Sequence, residues 1–292
     1  MSHGRRIRRL LGVWLLGPAL TYAAQTRTPE LPKDPDQLVR TVVANELKPN
    51  PDKQRYEYRV TKKLPERTEV KQMVETPVGT LGRLILINGK PLTREQRAKE
   101  DARLQRLIDD PQQMASKRKE QQDDDRRTRE MVKAMPDAFL YEYVSTENKE
   151  PWGQVEILKF KPNPKFTPPN QETKVYRGME GEMWIDLADM RLAKIEASLF
   201  RDVSFWWGIL GHLDKGGQFL VEQRPVNGGH WEPSHMVLNF TGKVLVFKTL
   251  KIRQDETTTD YKPVNEMSLT QALEFLKKQE TEVAQNAQNG SR

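Results

Sequence analysis

The feature that most constrains the fold is a two-residue alternation of apolar and polar side chains, which recurs in short segments through most of the chain. Tyr56, Tyr58 and Val60 alternate with polar neighbours, and the same pattern returns after position 138. This period places one side of a segment in a core and the other in water, as in the strands of an antiparallel sheet. Strands are predicted at 56–61, 70–75, 81–87, 139–144, 154–161, 183–186, 192–200, 219–223, 231–240 and 244–252.

Turn residues separate many of these segments. Asn88-Gly89, Asn227-Gly228-Gly229 and Thr241-Gly242-Lys243 are typical of tight hairpins. The sequence contains no internal repeat. We therefore predict one α+β domain, residues 34–266, built on an antiparallel meander of roughly ten strands.

Three segments have the signals of helices instead. Asp34 and Pro35 suit a helix start, and apolar residues then follow at helical spacing: Leu38, Val39, Val42, Val43 and Leu47. Thr93 and Gln96 form a capping-box pattern at the start of a charged insertion, 92–135, which Pro111 divides into two helices. A short C-terminal helix follows Ser268, and the polar tail from position 279 is predicted to be disordered, so that 267–292 lies outside the domain.

The N-terminus has the layout of a secretory signal peptide, residues 1–23. Four arginines precede an apolar run at 10–20, and Ala23 supplies a small residue at the cleavage point. The run is shorter than the about 20 residues that cross a bilayer, and Pro18 interrupts it. The sequence therefore predicts cleavage near Ala23, a tether at 24–33, and a periplasmic or secreted protein.

Charge and cysteine content exclude several classes of function. The chain has 48 basic and 41 acidic residues, a net charge of +7. Loss of the four N-terminal arginines leaves 44 basic residues and a net charge of +3, which gives little drive toward nucleic acid. The chain has no cysteine, so disulfides, thiolate metal sites and cysteine nucleophiles are excluded.

The insertion at 92–135 carries 12 basic and 10 acidic residues with few apolar ones. One interpretation is a solvated helical insertion held by alternating charges. The other is a docking arm for a partner or for anionic lipid.

An aromatic segment at 205–210, Phe-Trp-Trp-Gly-Ile-Leu, also has two interpretations. Large aromatic residues usually serve packing, which would make it a buried edge or cap of the sheet. Alternatively, Phe205, Trp206, Trp207 and Leu210 form a flap over a cavity, or a loop that enters the membrane interface, where Trp is favoured.

No pattern of residues supports catalysis or metal binding. His230 and His235 are five positions apart with Pro233 between them, which does not fit a zinc-binding helix. Ser204 lacks a nucleophile-elbow motif, and the glycine pairs do not precede a helix as in a phosphate loop. We predict no catalytic residue, no metal and no cofactor, and hence a protein that is not an enzyme.

One helix, a long antiparallel meander and an export signal together resemble the LolA/LolB lipoprotein-carrier superfamily, and one hairpin adds to the resemblance. A hairpin that recurs in the LolA/LolB superfamily is similar to the segment Gly178–Asp186 followed by Arg191–Glu196. The resemblance as a whole covers about residues 34–263. Asn88–Leu92, and Trp207–Gly211 before Leu213–Gly217, are similar to an uncharacterised family of exported bacterial proteins. The resemblance implies a curved sheet, a half barrel, whose apolar concave face is closed by helices and loops and receives acyl chains.

These observations together predict a periplasmic binding protein for a lipid or an acylated ligand such as a lipoprotein. Trp184, Phe219 and Phe240 are predicted to line the apolar cavity together with the flap residues. The alternative is an envelope sensor or scaffold that binds a protein partner through 92–135. An open cavity would favour the first function, and a cavity filled by the protein's own side chains would favour the second.

Overall fold

The computed structural model describes residues 31–48, 54–206, 210–226, 230–244 and 248–289. In these ranges the α-helices are α1 (Pro35–Glu46), α2 (Arg94–Asp109), α3 (Pro111–Ala138) and α4 (Leu269–Asn289), with a 3₁₀ helix at Glu172–Gly178. The strands are β1 (Arg55–Lys63), β2 (Thr68–Thr76), β3 (Gly79–Ile87), β4 (Lys90–Pro91), β5 (Phe139–Lys149), β6 (Gly153–Pro162), β7 (Met179–Asp186), β8 (Arg191–Leu199), β9 (Val203–Trp206), β10 (Leu210–Leu213), β11 (Gln218–Pro225), β12 (Trp231–Val244) and β13 (Lys248–Val264).

All these strands join one open, curved antiparallel sheet, so the predicted α+β class is confirmed. Their order is β4-β3-β2-β1-β13-β12-β11-β8-β7-β6-β5, and β10 pairs with both β12 and β9. Gly181 marks a close approach between β7 and β8. A Cβ atom there would lie 1.9 Å from the carbonyl oxygen of Glu196, so the strands can meet only around a glycine.

Strand register divides the side chains between two faces of the sheet. One face, called the inner face, carries the mutually adjacent residues Leu158, Met183, Ile195, Val221 and Met236. The other, called the outer face, carries Lys159, Glu182, Glu196, Leu220 and Val237. Across these five strands the named inner residues are all apolar, whereas the outer ones are a mixture of charged and apolar side chains.

Helices α1 and α3 cover the inner face of β5 to β8. Asp34 caps α1 by accepting a hydrogen bond from the backbone N–H of Asp36 at 3.0 Å, as predicted. The predicted apolar stripe of α1 is buried against the sheet: Leu38, Val39, Val42 and Val43. Phe139, Phe160 and Tyr176 pack around it with tilted rings, at centroid distances of 4.7 and 4.9 Å from Phe139.

Helices α2 and α4 cover the opposite, outer face of β1 to β3. Leu104 and Leu107 of α2 and Leu276 of α4 are buried against Val74 and Leu81. The predicted capping box at Thr93 and the division at Pro111 are both present. Both helices of the insertion thus contribute residues to the core, while 93–99 at the start of α2 and most of 115–129 in α3 are exposed.

The C-terminal helix is longer than the sequence indicated. The prediction placed a disordered tail from position 279, but α4 continues to Asn289. Glu280 is 4% exposed and accepts hydrogen bonds from Arg83 of β3 at 2.7 Å and Arg97 of α2 at 2.8 Å. An acidic residue that looked like part of a polar tail is instead the partner of a buried arginine.

The predicted turn at Thr241–Lys243 is also wrong. Strand β12 passes through Gly242, where a Cβ atom would lie 2.1 Å from the carbonyl oxygen of His212 on β10. The glycine allows close strand pairing there and does not reverse the chain. Across the ranges that the structure describes, no helix is long and apolar enough to cross a membrane.

Candidate functional site

The helices leave part of the inner face uncovered, over strands β11 to β13. This part carries five half-buried apolar side chains and is called the inner strip: Phe219, Val221, Met236, Leu238 and Ile252. All of them except Met236 pack against the core cluster. The register places these residues side by side, with Val221 opposite Met236 and Phe219 opposite Leu238. Soluble proteins seldom leave extended apolar surface in reach of water without a role for it.

One end of the inner strip is closed by Phe240, which is 7% exposed. Its ring lies over Gly217, where a Cβ atom would be only 2.3 Å from the ring. Leu213 of β10 packs against the same core cluster. The hairpin of β9 and β10 therefore lies at this end of the strip.

The opposite end of the inner face carries three tyrosines and two carboxylates, here called the tyrosine–carboxylate cluster. The rings of Tyr58 and Tyr261 stack at 5.0 Å, and Tyr56 meets Tyr261 edge-on at 6.1 Å. The backbone N–H of Tyr56 donates to Glu75 at 3.0 Å. The fifth member, Glu232, lies on β12.

Burial and like charge shift the acidity of these groups. Burial raises the pKa of Glu232 to about 7, the charge of Glu75 adds to the rise, and Arg191 opposes it. Burial also raises the pKa of Glu75, against the N–H of Tyr56 and the charge of Arg55. The pKa values of Tyr58 and Tyr261 are raised for the same first cause. The cluster therefore contains a carboxyl that titrates near neutral pH.

Glu232 and Glu75 lie on strands that are not neighbours in the sheet. Strands β12 and β2 are separated by β13 and β1. The charge of Glu75 nevertheless contributes to the raised pKa of Glu232.

The structure separates Trp184 from the other predicted cavity residues. Phe219 and Phe240 belong to the inner core cluster, whereas Trp184 lies on the outer face, since β7 turns Met183 and Ile185 inward. The Trp184 ring meets Trp152 edge-on at 5.8 Å, and the ammonium group of Lys194 lies 4.6 Å from its centroid. Through these contacts Trp184 packs against other side chains of the outer face.

The backbone of three predicted flap residues, Phe205, Trp206 and Leu210, belongs to β9 and β10. Leu210 pairs with Trp206, and Gly211 pairs with Phe205. Trp207 and the side chains of Phe205, Trp206 and Leu210 are outside the described residues. At the base, Val203 is buried and anchors the hairpin.

The outer face offers a different kind of recess. A shallow trough of about 500 Å³ crosses β7, β8, β11 and β12. Polar and non-polar residues line it in equal number: Glu180, Gly181, Glu182, Glu196, Ala197, Ser198, Gln218, Phe219, Leu220 and Val237. Nearby, Asp255 binds His235 at 3.1 Å and Lys63 at 3.0 Å, so these groups neutralise one another. Within the described ranges no group of three or more His, Asp or Glu is arranged to hold a metal ion.

Sequence reasoning missed the tyrosine–carboxylate cluster. The alternation did place Tyr56 and Tyr58 together on one strand face. Their partners Glu232 and Tyr261 are distant in the chain, and only the pairing of β1 with β13 brings them near. That pairing joins the first strand to the last, for which no local pattern exists.

Comparison of the chain with models of protein families, with curated proteins and with solved structures returned no match.

Proposed function

We propose that the protein is a non-enzymatic binding protein of the periplasm, which holds a lipid or an acylated protein by its acyl chain on the inner strip. The inner strip is the observation that carries this proposal: five half-buried apolar side chains on three adjacent strands of one face of the curved sheet. The predicted signal peptide and the resemblance to LolA/LolB carriers, with their half-barrel fold, are part of the same proposal.

The free energy of burying methylene groups sets a minimum length for the acyl chain of the ligand. Each buried methylene contributes about 0.8 kcal/mol, so about ten of them contribute about 8 kcal/mol before the cost of association is subtracted. Short chains would therefore bind weakly. We expect affinity to rise about fourfold with each added methylene until the strip is filled.

Two matched double variants test whether the inner strip is the ligand site. Phe219→Ser with Leu238→Ser changes a cross-strand pair of the inner face, and Leu220→Ser with Val237→Ser changes the adjacent pair of the outer face. We expect the inner variant to lose binding of a fluorescent fatty acid and to lose lipids detected by mass spectrometry after purification. The outer variant should keep both.

Thermal unfolding of both variants checks that they fold equally well. Equal binding by a folded inner variant would refute the inner strip as the site. Absence of acyl binding by the unmodified protein, at every chain length, would refute the function itself.

A second candidate function is supported by the exposed middle of α3. Lys117, Arg118 and Lys119 are all exposed there, one to two turns before Asp123 and Asp124. A protein partner in the envelope could bind this charged segment. Deletion of 92–135 would not test this idea, because Leu104 and Leu107 belong to the core. Replacement of the three basic residues by Glu should abolish capture of such a partner while Tm stays unchanged, and retained capture would refute it.

A further inference from the structure

One face of α3 borders two recesses in the surface. The first, of about 630 Å³, lies where the turn after β2, the end of α2 and the starts of α3 and α4 meet. The second, of about 470 Å³, continues along α3 toward the end of α1. Gln122 lines both recesses, so they adjoin at this residue and follow the helix. Together they are called the α3 groove.

The residues that α3 contributes to this groove lie on one side of the helix. They run from Met114 to Lys133, and at about 100° per residue they fall within a sector of about 160°. Lys117 and Arg127 do not line the groove, and each lies about 140° from the centre of that sector. At 1.5 Å per residue the groove is about 28 Å long, or about five turns of helix.

The floor of the first recess is apolar and lies below the surface of the helix. Met114 is 9% exposed and belongs to the core beneath α2 and α4, and half-buried Ile108 and Leu269 pack against the same core. Val78, in the turn after β2, adds an exposed apolar side chain at the rim. A side chain that projects from a partner helix can enter such a recess, whereas a flat lipid surface has no projection to place there.

The sides of the groove are mainly cationic. Five arginines or lysines and two acids line the two recesses. In the second recess Arg126 is already paired with Glu130 at 3.2 Å. Arg118 and Lys119, beside the apolar floor, are exposed, and neither has an ion-pair partner among the residues that the structure describes. These two cations are therefore available to carboxylates of a partner.

We propose that the α3 groove binds an acidic amphipathic helix of a protein partner. Its apolar side chains enter the recess over Met114, and its carboxylates pair with Arg118 and Lys119. Apolar anchors spaced at i, i+3 and i+4 along the partner helix follow the length of the groove. The inference rests on the second candidate function, since it names the surface and the partner chemistry of that function, and it is independent of the acyl ligand.

A library of helical peptides of about 20 residues, displayed on phage and selected on the purified full-length protein, tests the partner chemistry. We expect the enriched sequences to carry Asp or Glu beside an apolar stripe of helical spacing. A synthetic fluorescent peptide of the enriched sequence then gives Kd by anisotropy. The Kd should rise with salt concentration, because salt screens charge pairs at an exposed rim.

Matched variants locate the bound peptide. Arg118→Glu with Lys119→Glu should raise Kd at least about tenfold, since two attractive charges become repulsive. Lys117→Glu with Arg127→Glu makes the same change of charge on the other side of the helix, and should change Kd by less than about twofold. Val78→Glu should also weaken binding, because it places a like charge at the apolar rim. Thermal unfolding of each variant checks that it is folded.

Several outcomes would overturn the proposal. Enriched peptides that lack acidic residues would refute the partner chemistry, and an unchanged Kd in the folded variant of Arg118 and Lys119 would refute the site. Binding of anionic phospholipid vesicles through these two residues, with no peptide selected, would assign the groove to a membrane surface instead.

A captured envelope partner separates this inference from the second candidate function. Capture that is lost when Lys117, Arg118 and Lys119 are all replaced by Glu, but kept when only Arg118 and Lys119 are replaced, would refute the groove and leave that function standing. Capture that is lost in both variants and in Val78→Glu supports the groove.

Discussion

The buried pair of Arg83 and Glu280 gives a quantitative test of how α4 is held. Arg83 is 1% exposed and Glu280 is 4% exposed. The guanidinium group donates to the carboxylate through two nitrogens, at 2.7 and 2.5 Å. The perturbation is Glu280→Gln, which keeps the shape of the side chain and removes the charge.

The expected loss of stability follows from the contacts that Arg83 would lose and those that it would keep. Removal of one partner of a buried ion pair costs about 3–5 kcal/mol, because the other charge is left without compensation. Arg83 would keep its contact with Asp101 at 2.8 Å, and Asp101 is 43% exposed. We therefore expect the lower end of that range, about 3 kcal/mol, which corresponds to a fall of about 6 °C in Tm.

Urea unfolding followed by circular dichroism measures the effect. Glu274→Gln, which breaks an exposed ion pair with Lys277 in the same helix, should change the free energy of unfolding by less than about 1 kcal/mol. The double variant Arg83→Met with Glu280→Leu should be more stable than Glu280→Gln alone, since no charge stays buried. If the free energy of unfolding of Glu280→Gln is within about 0.5 kcal/mol of that of the unmodified protein, this pair does not hold α4 against β3.

Three other predictions follow from packing and titration. Gly181→Ala should lower Tm and be destabilising by about 2 kcal/mol or more, because the new Cβ would meet the carbonyl oxygen of Glu196 at 1.9 Å; an unchanged Tm would show that the strands can separate there. Leu104→Ala should cost about 2–5 kcal/mol in urea unfolding, since Leu104 is fully buried and a cavity remains; a surface-like effect would mean that α2 is not part of the core. The folded-state pKa of Glu232 exceeds its ordinary value of 4.5, so stability should fall as pH rises from 4.5 to about 7, by about 1–2 kcal/mol once solvent screening is allowed for. Glu232→Gln should flatten that part of the stability profile, and a slope that persists in the variant would assign it to another group.

The local elements were predictable from the sequence, because their causes are local. Asp34 and Thr93 cap helices through hydrogen bonds that span two or three residues. The turn at Asn88 and Gly89 adopts positive φ angles of 50° and 74°, as a tight hairpin with this pair requires. Alternation identified most strands for the same reason, since it depends only on neighbours in the chain.

The candidate site was only partly predictable, because its causes are not local. The structure separates Trp184 from Phe219, since the alternation on β7 puts Trp184 on the opposite face from Met183 and Ile185. Phe219 packs against the inner core cluster, and its part in ligand binding stays a prediction. The acids of the cluster resembled ordinary exposed residues, and only long-range strand pairing made Glu232 half-buried beside Glu75.

The position of β1 beside β13 has a consequence for how the chain reaches its native state. Strands β5 to β8 and β11 to β13 pair almost wholly with their neighbours in sequence, so they can form by successive local hairpins as they emerge. Gln54 beside β1, by contrast, donates to the carbonyl oxygen of Val264, 210 positions later. Contacts of such long sequence separation form slowly, because loop-closure entropy is lost before they are made. The N-terminal hairpins β1 to β3 therefore keep an unpaired edge until β13 and α4 are available, and the sheet is completed only when these later elements fold onto it.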